Sequence, residues 1–489
     1  MNYLNLLLLL FRKWKHIFIV FVFLVSALFS NANSPFLPDT SILNTFLKKI
    51  VNSYNIPGLA VALVNNKGVI FMSGYGESSP GVSFTYNTPS LLGSTTKTFT
   101  ALAIMRLVEG GEIDLDTPLK KYLPQFSLAT DEYENIITIR NLLNHTSGLS
   151  DEGMPFTSLG ENSLEEELKL LKQCKPIFAP GEKYVYFNDN YRLLGLVIEK
   201  VSGMKYSEFL DSVIFKPMKM TSSFAGPDGI KGLATGHGEI FGVPLKRKQE
   251  YRAGALPSGY VASSVSDLAR FLMAELQAGK GDTNLFNPQT IKTTWLPPEN
   301  IKGGYAMGWM VFDTIGKTPF LAHGGSLENY QSFFYLNPQL NKGFVFIMNQ
   351  GGILPMIGGF STLRNGLIRI IDNELPENGK GLLPVIIVSA CFFLIVGIEI
   401  FLTFRLKNWL IRVVQKKKWK RWTGIIFDFI FSCFLAYWGY KAWFMFYNLL
   451  PELFFLLWIM VILGISRSLF KILIIIRNPK VLFTRLKSI

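Results

Sequence analysis

The stretch LLGSTTKTFTA, residues 91–101, places Ser94 three residues ahead of Lys97 at the head of an apolar-periodic run. A serine hydroxyl is a weak nucleophile until a base takes its proton. Residues i and i+3 share one face of a helix, so Lys97 would stand beside the Ser94 oxygen. A helix start adds unpaired N–H groups and the positive end of the helix dipole. The competing reading is that Ser94 only caps the helix. S-x-x-K recurs at Ser202 with Lys205 and at Ser468 with Lys471. Ser202 closes the helical run YRLLGLVIEKVSG and Ser468 falls in a membrane-like segment, so both read as structural.

An activated serine needs partners downstream. Tyr186 and Asn188, in FAPGEKYVYFN, follow a Pro-Gly turn and precede a helical run expected to begin near Tyr191. In an extended piece, side chains two apart face the same way. His323-Gly324-Gly325-Ser326 precedes the last strand-like pair. Paired glycines let backbone approach a ligand closely, and N–H groups there can face a developing oxyanion. An ordinary loop before a strand would look the same.

These residues need a scaffold. After Ser94, Phe99, Leu102, Met105 and Leu107 are spaced as one buried helical face, with Gly110-Gly111 as a stop. A helix is expected over about 41–54, followed by GLAVALVNN and KGVIFMSGYG, two alternating strands joined in a hairpin. Near residue 340, SFFYLNPQL and KGFVFIMNQ form a second strand pair, followed by a helix around 357–372. Strands from both ends around a helical middle predict an α+β domain, an antiparallel sheet flanked by helices plus a helical lobe, with the site between them.

Order and spacing together carry more than any single motif. Ser94-x-x-Lys97, then Tyr186-x-Asn188, then His323-x-Gly325 resembles the serine beta-lactamase and penicillin-binding protein family, in its class C and DD-peptidase-like branch. The likeness extends to LVEGGEIDLDTPLKKYLP, LLNHTSGL and LPSGYVASSVSDLARFL, and covers roughly residues 40–372. It implies that Ser94 is acylated, that Lys97 eases its deprotonation, and that Tyr186 shuttles protons with a phenolate favoured by nearby cations. Asn188 would orient the substrate amide, and Gly325 with the Ser326 N–H would complete an oxyanion hole shared with the Ser94 N–H. His145 reads as structural. His323 makes H-G-G where many relatives carry K-T-G, and Phe187 replaces a small residue. Histidine is often neutral at pH 7. A fixed positive charge for a carboxylate is therefore missing at that position, which favours a peptidase or esterase over a beta-lactamase. A binding-only sensor signalling through the membrane segment is the reading from another class.

Hydropathy divides the chain in three. Residues 1–33 combine Arg12, Lys13 and Lys15, an apolar run and a small-residue end, the pattern of a signal peptide or an N-terminal anchor. Residues 34–380 form the hydrolase domain. Residues 381–489 hold three long apolar stretches, predicting about three transmembrane helices. The first two are joined by RLKNWLIRVVQKKKWKRW, basic throughout, and the tail is basic too, so both are expected in the cytoplasm with the hydrolase domain outside. Acidic Glu399 and Asp428 are read as lying near interfaces. The ends hold the excess positive charge: of a net +14, residues 34–380 contribute −1. No nucleic-acid footprint falls on the domain. Scattered histidines and the lack of H-E-x-x-H give no metal site and no cofactor. The expected partners are a small-molecule or peptide substrate and the lipid bilayer.

Overall fold

The computed structural model describes residues 40–154, 163–226, 232–282, 285–301, 304–313, 318–377, 379–404, 418–441 and 451–476. The leader, the core of the basic loop and the extreme tail lie outside these residues. Helix α1 (Thr40–Ser53) leads into β1 (Gly58–Asn65), β2 (Gly68–Ser79) and β3 (Val82–Ser83). The β1–β2 hairpin turns through Asn66-Lys67, with Asn65 Oδ1 accepting from the Lys67 and Gly68 N–H groups at 2.8 and 3.0 Å. Asparagine side chains satisfy turn amides in this way.

The middle of the chain is mainly helical: α2 (Thr96–Glu109), α3 (Asn188–Ser202) and α4 (Val265–Lys280) carry most of the lobe. Short strands β4 (Ser90–Leu91), β5 (Phe224–Ala225) and β8 (Val261–Ser263) form a small sheet, while β6 (His237–Ile240) and β7 (Val243–Lys246) form a separate hairpin. The chain then returns as β9 (Met310–Phe312), β10 (Phe320–Ser326), β11 (Gln331–Asn337) and β12 (Lys342–Met348), and ends the domain with α5 (Ser361–Ile371). The main sheet runs β3-β2-β1-β12-β11-β10-β9, all neighbours antiparallel, so the two ends of the domain meet at β1–β12.

Strand β1 is not half-solvated, as simple alternation suggested; it is buried from Gly58 to Val64. Ala60, Ala62 and Val64 face the helical lobe, whereas Leu59, Val61 and Leu63 face α1 and α5. Helices cover both faces, so the strand alternates in size rather than polarity. Helix α2 departs likewise from a single apolar stripe. All its side chains from Thr96 to Met105 are buried, because it runs through the centre of the lobe.

One buried acid reports on this core. Glu275 of α4 is 2% exposed, and burial raises its carboxyl pKa to about 7, partly offset by the Trp295 Nε1–H at 3.0 Å. The folded state therefore favours the protonated acid. Its stabilising effect is complete below the ordinary carboxyl range and is lost as pH rises through about 7. Glu275→Gln, which can still accept from Trp295, is expected to stabilise the protein at pH 8 by roughly 3 kcal/mol, at ~1.4 kcal/mol per pKa unit. Thermal melts at pH 5 and pH 8 check this, with the gain confined to the higher pH.

Beyond the domain lie three helices, α6 (Leu383–Phe404), α7 (Lys418–Lys441) and α8 (Pro451–Ile476). Among the described residues one stretch, Phe454–Leu473, is long and apolar enough to cross a membrane, and Val385–Ile398 is a shorter apolar helix. Asp428 pairs with Lys471 Nζ at 2.5 Å, joining α7 to α8. The acid expected near an interface thus has a cross-helix partner.

Candidate active site

Between Ser90 and Met105 every side chain is buried except Ser94. It sits in a 3-10 turn, Gly93–Thr95, immediately ahead of α2. Neither that turn nor α2 has a side-chain cap at its start, so Ser94 is not the helix cap of the alternative reading. The other two S-x-x-K serines are placed as structure. Ser202 Oγ donates to the Ile198 carbonyl at 2.6 Å ahead of the left-handed Gly203, and Ser468 is buried in α8.

Lys97 is fully buried, with Nζ 3.3 Å from Ser94 Oγ, 2.8 Å from Asn188 Oδ1 and 2.7 Å from the Ser258 carbonyl. Burial drives its pKa well below the ordinary lysine range; Arg192 lowers it further and Asp189 partly opposes the shift. A neutral amine has two N–H groups, which the carbonyl and amide oxygens take. Its lone pair is left facing the serine. In the ammonium form the third N–H finds the serine oxygen, so both protonation states are satisfied.

Tyr186 also faces Ser94, and its ring lies 4.9 Å from Lys97 Nζ. The expectation that cations favour its phenolate is overturned. Burial pushes the hydroxyl above its usual range, with the Ser94 hydrogen bond opposing only in part. A lysine inclined to be neutral offers little charge to hold a phenolate.

Tyr186 and Asn188 do converge, but not as alternate residues of a strand. Phe187 is extended and α3 begins at Asn188, earlier than Tyr191. His145, with a positive φ of 54°, fixes this junction. Its Nδ1 accepts the Phe187 N–H at 3.2 Å, and its ring lies 4.4 Å from that of Tyr186. The structural reading of His145 therefore holds, with a positioning consequence.

His323, Gly324, Gly325 and Ser326 are not a loop but the second half of β10. β11 pairs along all of them, while β9 pairs only with Phe320–Ala322, so their outer edge has no strand partner among the described residues. Gly325 and Gly93 let two backbones touch. A Cβ on Gly325 would lie 1.8 Å from the Leu92 carbonyl oxygen, and one on Gly93, at φ +58°, 2.6 Å from the Ser326 nitrogen. Ser94 and Ser326 are thereby brought side by side. His323 is buried and committed at both ring nitrogens: Nδ1–H donates to the Gly324 carbonyl at 2.9 Å and Nε2 accepts from Tyr305 O–H at 3.1 Å. Burial, then Lys97, holds its pKa down at about 3, so it is neutral, as its replacement of lysine suggested.

Ser94, Tyr186, His323, Gly325 and Ser326 line one cleft of about 520 Å³, closed on its far side by Met310, Phe312, Phe333, Met356, Ile357 and Phe360. Arg364 of α5 also lines it. Sequence reasoning missed Arg364, Tyr305 and the Ser258 carbonyl. A carbonyl leaves no mark in sequence, and Arg364 reaches the cleft only because α5 packs across the sheet. No group of metal-ligating side chains occurs among the described residues.

A partly exposed serine backed by a buried lysine, in a cleft at the sheet–lobe junction, is thus set on a beta-lactamase fold. The beta-lactamase family model matches residues 43–355, more than half of the chain, and the chain belongs to that family. It is 28% identical over 313 residues to protein flp of Staphylococcus aureus, covering 63% of this chain and 62% of that relative. It is also 28% identical over 301 residues to penicillin-binding protein 4* of Bacillus subtilis, covering 57% and 64% of the two chains. The matched region thus spans under two thirds of either relative. Among solved structures it is similar to the octameric penicillin-binding protein homologue from Pyrococcus abyssi, with a TM-score of 0.59 and 25% identity, covering 70% of this chain and 79% of that one.

Proposed function

We propose that the protein is a membrane-anchored serine hydrolase acting outside the cytoplasm, through an acyl-enzyme on Ser94, on an ester or amide such as a D-amino-acid peptide or cell-wall fragment. The observation that carries this is Ser94, exposed to an apolar cleft, with the depressed amine of Lys97 directly behind it. Lys97 takes the Ser94 proton as Oγ bonds to the acyl carbon. The resulting ammonium returns that proton, by way of the Tyr186 hydroxyl, to the departing nitrogen or oxygen as its bond to the acyl carbon breaks. Water releases the acyl group by the reverse relay. The Ser94 and Ser326 N–H groups receive the oxyanion, each worth a few kcal/mol in such a site. Asn188, exposed beside Lys97, orients the substrate amide.

His323 supplies no charge for a substrate carboxylate, so a peptidase or esterase is favoured over a beta-lactamase. Among the described residues lining the cleft, Arg364 is the cation, and its half-burial lowers its pKa only from a very basic value. Paired esters that differ by one carboxylate test this. The wild type is expected to prefer the carboxylated ester modestly, and Arg364→Gln to lower kcat/KM for it by roughly tenfold, within the ~1.5–3 kcal/mol of a charged hydrogen bond, while sparing the neutral ester. A strong carboxylate preference that survives Arg364→Gln returns the role to the His323 strand and favours the beta-lactamase reading.

Three spans, with the basic loop and tail inside, complete the proposal. The Asp428–Lys471 pair supports it, since it joins the first half of α7 to the last turns of α8, the ends that this topology puts on the cytoplasmic side.

A further inference from the structure

The β6–β7 hairpin turns through only Phe241 and Gly242, both at positive φ, 50° and 80°. This two-residue turn suits Asn-Gly. A phenylalanine there is strained, and strain kept at one turn points to a use. The Phe241 ring lies 5.0 Å from Phe392 and 5.2 Å from Phe393 of α6. At 1.5 Å per residue these are about 14 Å along α6 from its start. The Phe241 ring is therefore level with apolar helix, while Gly242 beside it stays tied to the domain, its carbonyl accepting from Asn55 Nδ2 at 3.2 Å.

Antiparallel pairing puts Ile240, Val243 and Leu245 on one face of the hairpin. Val243 and Leu245 are exposed, 55% and 44%, as are Phe393 and Leu394 on α6. Lys246 and Lys248, exposed, follow directly. An apolar tip backed by lysines matches the boundary between acyl chains and anionic headgroups.

We propose that this hairpin is a second membrane contact, its Phe241–Leu245 tip seated in the outer leaflet beside α6 with Lys246 and Lys248 at the headgroups. The inference rests on the reading of α6 as part of the membrane anchor. The occupant is lipid because the exposed apolar face of the tip continues that of α6. Insertion of roughly 5–10 Å is the depth reached by interfacial elements.

The test uses the full chain in liposomes containing anionic lipid, with Cys174, Cys391 and Cys433 replaced by serine and one bimane-labelled cysteine at a time. Val243→Cys reports on the tip, Leu394→Cys on α6 and Lys121→Cys on an exposed site of the domain. Nitroxides at headgroup depth are expected to quench the 243 label severalfold more than the 121 label, and mid-chain nitroxides to quench the 394 label. Phe241→Asn, which suits the turn better, should keep covalent labelling of the active site yet lower quenching at 243. Quenching at 394 with none above background at 243 overturns the hairpin contact and leaves the anchor standing. Absence of quenching at both positions overturns the contact and the anchor together. A 243 label shielded from nitroxide lipids and from aqueous iodide shows a protein partner instead of lipid, and overturns the proposal.

Discussion

Ser94→Ala is expected to abolish covalent capture by a fluorophosphonate or penicillin probe and to lower turnover on the order of a millionfold, the scale of losing the nucleophile from a serine hydrolase. The fold should survive the change. Ser94 is the one unburied side chain of its run, and Lys97 keeps its bonds to Asn188 and Ser258, so melting should shift by little. Ser202→Ala is the matched control. Its hydroxyl donates to the Ile198 carbonyl and accepts the Met204 N–H, both backbone contacts, and labelling should persist. Peptide mapping of the labelled protein decides the matter: a modified Ser202, or a label retained by Ser94→Ala, rejects the assignment. Reversible binding without any adduct would instead support the binding-only sensor.

Lys97→Met is expected to lower the acylation rate by about 10³–10⁴-fold, near the upper end for a general base. Methionine fills the same buried space, but the Ser258 carbonyl loses its donor. A stability cost of about 1–3 kcal/mol follows. The pH profile carries the sharper information. Lys97 must be neutral to accept the serine proton, so the rate of adduct formation rises with pH through the depressed lysine pKa and falls below it. Arg192 helps to depress that pKa, so Arg192→Gln should move the acid limb to higher pH. Stopped-flow acylation of both variants against wild type tests the sign. Tyr186→Phe separates the two candidate bases. It should leave the limb in place while slowing proton delivery to the leaving group, and a limb that vanishes in this variant assigns the base to Tyr186.

Phe241 shows how far local signals reach. The run GEIFGVPLKR contains no Asn-Gly or Asp-Gly, so nothing in it announces a two-residue turn. Glu239, buried two residues before the turn, holds it: one carboxylate oxygen accepts the Gly242 N–H at 3.1 Å and the other accepts from Gln350 at 3.1 Å, more than a hundred residues away. β1 makes the same point about burial. Its apolar run announces a strand, but whether one face or both is covered depends on α1 and α5 arriving from opposite ends of the domain.

The sequence alone determined the order of the chemical groups. Ser94 beside Lys97 follows from helical periodicity, the antiparallel sheet from its strand pairs, and the near-neutral charge of residues 34–380 from where the charges lie. These are local or additive properties, set by residue types at fixed separations. Tertiary structure decided the chemistry those groups can perform. The Lys97 pKa is depressed because the lobe buries it beside Arg192, and the Tyr186 hydroxyl is pushed above its usual range by the same burial. His323 has its Nε2 taken by Tyr305, while Arg364 enters the cleft across the sheet. Desolvation and distant pairing depend on what the rest of the chain brings up, and no spacing of neighbours along the sequence encodes them.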